Sequence, residues 1–85
     1  MLFEQGKTYF IRGITYHYTG RCTRATEQYV ELDHAAWIAD NGRFHDFLKT
    51  GIANEVEPYI TPVKILISSI LDVSEFNHQL PTEQR

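Results

Sequence analysis

The chain has 85 residues, one cysteine and a formal net charge of −3. That length suits one domain with a modest core, and a lone cysteine excludes an internal disulfide framework or a four-cysteine zinc site. The acidic balance argues against a domain that lives on bulk phosphate attraction, and no apolar run approaches the roughly 20 residues of a membrane-spanning helix.

Residues 1–6 leave room for about one helical turn at most. They lack the basic stretch and apolar core of a signal peptide, so a soluble cytoplasmic protein is expected. Residues 7–18 read as the first strand, with Tyr9, Phe10, Ile11, Ile14, Tyr16 and Tyr18 as β-formers and Gly13 marking a bend. Thr19-Gly20 reads as a turn. Residues 21–26 form the second expected strand, with Cys22 in the core. A polar turn at Thr26-Glu27-Gln28 leads to the third, residues 29–38. There Val30, Leu32 and His34 face one way and Tyr29, Glu31 and Asp33 the other, the alternation of a half-buried strand.

The pattern then becomes helical. Asp40-Asn41-Gly42 signals a start, and Phe44, Phe47 and Leu48 have the spacing of one apolar helix face. Thr50-Gly51 supplies a stop. The expected helix, about 41–50, is too short to stand without packing, and Trp37 with Phe44 and Phe47 is expected to form a small core beneath it. Residues 55–60 look extended, with Pro58 placing them at an edge. Residues 63–67 are a strong strand, Ser68-Ser69 a break, and residues 70–76 the last strand. Residues 77–85 read as a loose polar tail. The expected domain therefore spans 1–76: mainly β, about five short strands in a small, strongly bent antiparallel barrel, with one inserted helix. Val63, Ile65, Leu66, Ile67, Ile70, Leu71 and Val73 put apolar side chains on both faces of the last two strands. Pairing those strands between neighbouring subunits would cover the edge, and a head-to-tail contact of that kind closes a ring.

The chain resembles the Sm and Sm-like superfamily, whose fold is an SH3-type barrel. Gly20 and Cys22 match the opening of the first motif; Val30-x-Leu32 and Ala35 match its paired apolar positions. Ile65 to Ile67, Ser68-Ser69 and Ile70-Leu71-Asp72-Val73 match the shape of the second. The turn aspartate of the family falls near Thr26, its base-binding asparagine near Tyr29, and its Arg-Gly near Ile67-Ser68. The residue types differ at all three places, and residues 41–51 replace a short loop. The segment 35–48 is also similar to one in small proteins of phage-like genomes. The resemblance implies a homo-oligomeric ring of about five to seven subunits. It further implies single-stranded RNA bound at a pore lined by the turn at Thr26 to Tyr29 and the turn at Ser68-Ser69.

Tyr29 is the first candidate, because an exposed ring there stacks a base. Thr26, Gln28, Arg24, Ser68 and Ser69 complete the expected RNA site. Gln28 has the amide to read a base edge; Arg21, Arg24 and Arg43 have the charge for phosphate, or serve as solvated surface. His17, His34, His45 and His78 have no metal-ligand spacing, and Cys22 is expected as inert packing. No nucleophile elbow, phosphate loop or carboxylate pair points to an enzyme or a cofactor. The alternative is a structural or protein-interaction ring, such as a phage or viral assembly component, without nucleic-acid binding.

Overall fold

A computed structural model describes residues 2–85. Met1, part of the expected N-terminal helical turn, lies outside them, and residues 2–6 form no helix. The elements are β1 (Thr8–Gly13), β2 (His17–Ala25), β3 (Tyr29–Asp40), α1 (Phe44–Thr50), β4 (Glu55–Pro58), β5 (Val63–Leu66), a 3-10 turn (Ile67–Ser69) and β6 (Ile70–Glu75). The chain is mainly β: six antiparallel strands in one sheet, plus one short helix. No helix among the described residues is long and apolar enough to cross a membrane.

Strand order is β4-β3-β2-β1-β6, with β5 also paired to β3. The twelve-residue β3 carries two partners on one edge. Its first half pairs with β5, from Tyr29 opposite Leu66 to Leu32 opposite Val63, and its second half pairs with β4, from Ala36 opposite Pro58. The bend between the halves falls at His34, which has φ 48°. β5 and β6 pair with β3 and β1 but not with each other, so the sheet is not closed.

Two apolar clusters cover the two faces. Tyr9, Ile11, Cys22, Val30, Leu32, Ala35 and Ile65, with Phe3, fill one. Phe10, Ala36, Ile38, Phe47, Ala53, Val56 and Phe76 fill the other, beneath α1. Tyr9, Phe10 and Ile11 thus alternate between clusters, as successive strand residues must.

The structure departs from the sequence reading at several points. The first expected strand is two strands. β1 ends at Gly13, whose N–H donates to the Tyr16 carbonyl 2.8 Å away, and the chain reverses there to begin β2 at His17. Thr19-Gly20 is therefore the buried middle of β2, and the strand count is six. His34 does not join Val30 and Leu32 in the core; the bend turns it outward, with its side chain 57% exposed. Of the helix face, only Phe47 is buried. Trp37 is on the opposite sheet face: its neighbours Ala36 and Ile38 belong to the helix-side cluster, and strand alternation sends Trp37 the other way.

The helix stop is where Gly51 was expected. Gly51 adopts φ 74° and donates to the Phe47 carbonyl, a left-handed termination that glycine enters without a Cβ clash. The expected loose tail is docked. A His78 ring nitrogen lies 2.9 Å from the Leu48 carbonyl oxygen, and Arg85 exchanges both backbone hydrogen bonds with Val56. The tail thereby occupies the outer edge of β4, an edge that otherwise invites foreign strands.

Candidate interaction site

The β2–β3 turn is built by Thr26. Its hydroxyl accepts from the N–H groups of Gln28 and Tyr29, each 3.1 Å away, and its own N–H donates to the Tyr29 carbonyl at 2.8 Å. Such side-chain capping is why threonine suits a tight turn. The Gln28 carbonyl accepts from Ile67 N–H at 2.9 Å, so this turn touches the 3-10 turn holding Ser68 and Ser69. Within the one chain the two turns are joined by that backbone bond, which is made by Ile67 and not by Ser68 or Ser69.

The side chains are less concentrated. Tyr29 is half-buried, and the Lys64 ammonium sits 5.3 Å from its ring centroid. A base stacking on that face would have to displace or share the cation. Ser68 is exposed. Ser69 folds inward: its hydroxyl donates to the Leu66 carbonyl at 2.8 Å, and its carbonyl accepts from Ile14 N–H at 2.9 Å. Arg24 lies on β2 opposite Glu31 and is exposed. Beside the turn, Leu2, Phe3, Ala25, Thr26, Glu27 and Ile67 line a cavity of about 190 Å³.

Several cations are already committed. Arg12 forks onto Asp72 and also lies 5.5 Å from the Phe44 ring centroid. Lys7 bridges Glu4 and Glu75. Arg21, one of the expected phosphate ligands, is bidentate to Asp33, both bonds 2.9 Å. Each pair neutralises a local positive charge, and among the described residues Arg24, Arg43, Lys49, Lys64 and Arg85 are the lysines and arginines without an ion-pair partner.

The Arg21–Asp33 pair reaches His34, whose Nδ1 lies 3.2 Å from both Arg21 Nη2 and Asp33 Oδ1. A neutral ring accepts from arginine there, and a protonated ring donates to aspartate. The guanidinium holds the Asp33 carboxyl below its ordinary value, chiefly by the hydrogen bond. A depressed folded value adds stability above the unfolded value of about 3.9, lost as pH falls through the lower folded value. Asp33→Asn is accordingly expected to lower the urea midpoint at pH 7 in dilute buffer. The difference from wild type should vanish in acid, and shrink in 1 M salt, where screening acts within about 3 Å.

The bend faces a cavity of about 270 Å³ between Asp33-His34-Ala35 and Pro58 to Pro62. Cys22 is enclosed, and burial pushes its thiol up, which makes it a poor nucleophile. No three His, Cys, Asp or Glu among the described residues gather to hold a metal ion.

The outer edges of β5 and β6 were expected as a feature of the last two strands, and the structure leaves both without a partner strand among the described residues. Leu66 and Leu71 on them are 60% and 66% exposed. The aromatic cluster around Trp37 was missed, because its members are far apart in the chain. Comparison with known proteins returns no significant match: no family model, no curated protein and no solved structure resembles this chain closely enough to assign it.

Proposed function

We propose that this chain is a small SH3-type barrel of the Sm-like kind that assembles with copies of itself into a closed ring and acts as a protein-interaction scaffold. The observation that carries this reading is the pair of open edges on β5 and β6, each with an exposed leucine. An open apolar edge pairs with another strand unless charge, proline or a bulge prevents it. Here the two edges lie on different strands of one chain. A contact between unlike edges is head-to-tail, and head-to-tail contacts that close make rings.

Single-stranded RNA at the ring centre is the second reading, favoured by the bond that joins the Thr26–Tyr29 turn to Ile67. In it Tyr29 stacks a base, Thr26, Gln28, Ser68 and Ser69 line the pore, and Arg24 meets phosphate. Stacking of this kind is worth about 1–3 kcal/mol per base. The ion pairing of Arg12, Arg21 and Lys7 supports the scaffold reading over this one, because it leaves less free positive charge for phosphate.

Sedimentation velocity at micromolar concentration tests both. The wild-type chain is expected at a multiple of its own mass, and Leu71→Asp at the mass of one chain with an unchanged circular dichroism spectrum. A wild-type monomer would sink the ring. Labelled oligo(U) added to the same cell reads the RNA arm: co-sedimentation that survives moderate salt would move RNA to first place.

A further inference from the structure

Two pairs of aromatic rings from separate parts of the chain lie on the sheet face away from α1. Tyr18 of β2 stands opposite Trp37 of β3, so the two side chains share a face. Tyr16, from the β1–β2 turn, packs edge-on against Trp37, with centroids 4.5 Å apart and planes at 72°. Tyr59, just past β4, lies 6.4 Å from Tyr18, with ring planes 31° apart. Burial, and after it the neighbouring Tyr59 and Tyr16 phenols, raise the Tyr18 hydroxyl above its ordinary value. Tyr16 and Tyr59 remain 45% and 40% exposed, and Ile60 beside them is fully exposed.

Carboxylates border the rings. Glu57 stands opposite Trp37, and Glu55 shares its face, because Val56 between them points into the helix-side cluster. Glu57 accepts from Gln84 Nε2 at 3.2 and 3.3 Å. Neither glutamate has an ion-pair partner among the described residues. Arg85 pairs with Val56, so its side chain belongs to the helix side, not to this face.

We infer that this aromatic and acidic face binds a proline-rich, basic segment of a partner protein. The proposal is independent of the ring. The exposed rings of Tyr16 and Tyr59 offer π-faces to proline, and phenol O–H groups donate to the carbonyls that a polyproline II chain leaves unpaired. Such a chain is already stiff, so docking on an open surface orders little that was free. The two carboxylates, neither of them ion-paired among the described residues, select lysine or arginine beside the prolines and repel a phosphate backbone.

Trp37 is the chain's only tryptophan, so its emission reports this face directly. The experiment titrates the full chain with a short proline- and leucine-rich peptide carrying arginine at both ends. A saturable change in emission is expected, absent with a peptide in which alanine replaces proline. Tyr59→Ser should weaken binding by roughly tenfold. Glu57→Lys should weaken the arginine-flanked peptide by a similar factor and leave a glutamine-flanked one unchanged. That charge-specific arm stands even where Tyr59→Ser loosens the fold. Unchanged emission throughout, or equal binding of the alanine peptide, overturns the proposal. So does an emission change produced instead by oligo(U), which would make the face a base-stacking platform. A change on simple dilution of the chain also overturns it, because a second copy would then be the occupant. Pairing through the β5 and β6 edges is read separately, by sedimentation of the wild type and Leu71→Asp.

Discussion

Replacing Phe47 by alanine is expected to lower the free energy of unfolding by about 3–5 kcal/mol. Phe47 is 1% exposed. Its ring meets Phe10 of β1 edge-on at 4.9 Å and stacks on Phe76 at 5.7 Å. It therefore joins the helix, the sheet and the segment after β6 at one point. Helix α1 has seven residues and no side-chain cap at its start, and a helix that short does not stand alone. Its other apolar residues, Phe44 and Leu48, are 44% and 38% exposed, so the anchor is Phe47. A domain of this size has a total stability of roughly 4–13 kcal/mol, and the loss is a large part of it. Urea titration followed by circular dichroism and by Trp37 emission measures the effect. A change below about 1 kcal/mol would mean that the helix rests on something other than Phe47.

Gly20→Ala is expected to cost about 1–3 kcal/mol, although alanine normally improves a strand position held by glycine. A Cβ at Gly20 would lie 2.9 Å from Leu32 Cβ, 3.0 Å from Leu32 Cδ1 and 3.3 Å from Ala35 Cβ. Leu32 Cβ is next to the backbone of β3 and cannot swing away, so the two strands must part. The register of β2 against β3 shifts here, between Thr19 and Arg21, and the glycine lets the strands cross closely beside the bend at His34. The same urea titration, with Ala25→Gly as a control on the outer part of β2, checks the sign. An unchanged or raised midpoint for Gly20→Ala would show that the strands separate freely and that their close approach is not required.

The helix, its stop at Gly51 and the strands at Tyr29, Val63 and Ile70 were legible locally, because each is written in nearest-neighbour chemistry. Phe44, Phe47 and Leu48 have helical spacing; Gly51 alone tolerates the left-handed stop; Val30 and Leu32 alternate with Tyr29 and Glu31. The turn at Thr26 was legible too, since its own hydroxyl builds it. The first hairpin was not: Tyr9 to Tyr18 is a continuous run of β-formers, and Gly13 marks a bend and a reversal equally well. The meeting of the Thr26 turn with Ile67 followed from strand order. The pairing of Arg21 with Asp33, which takes an expected phosphate ligand out of use, depended on cross-strand register.

By itself the sequence determined composition, charge, strand and helix propensity, and the burial of Cys22, Val30, Leu32 and Phe47, all consequences of side-chain type and period. Only the tertiary structure decided which face each strand residue serves. The bend at His34 resets the alternation of β3. That puts Ala36 and Ile38 under the helix and sends Trp37 to the other side, beside Tyr16, Tyr18 and Tyr59. A shift of one residue in a strand exchanges its faces, and no local signal around His34 announces the shift. The docking of Gln84 and Arg85 on β4 was decided the same way: the edge they meet exists only once Glu55 to Pro58 has paired with β3.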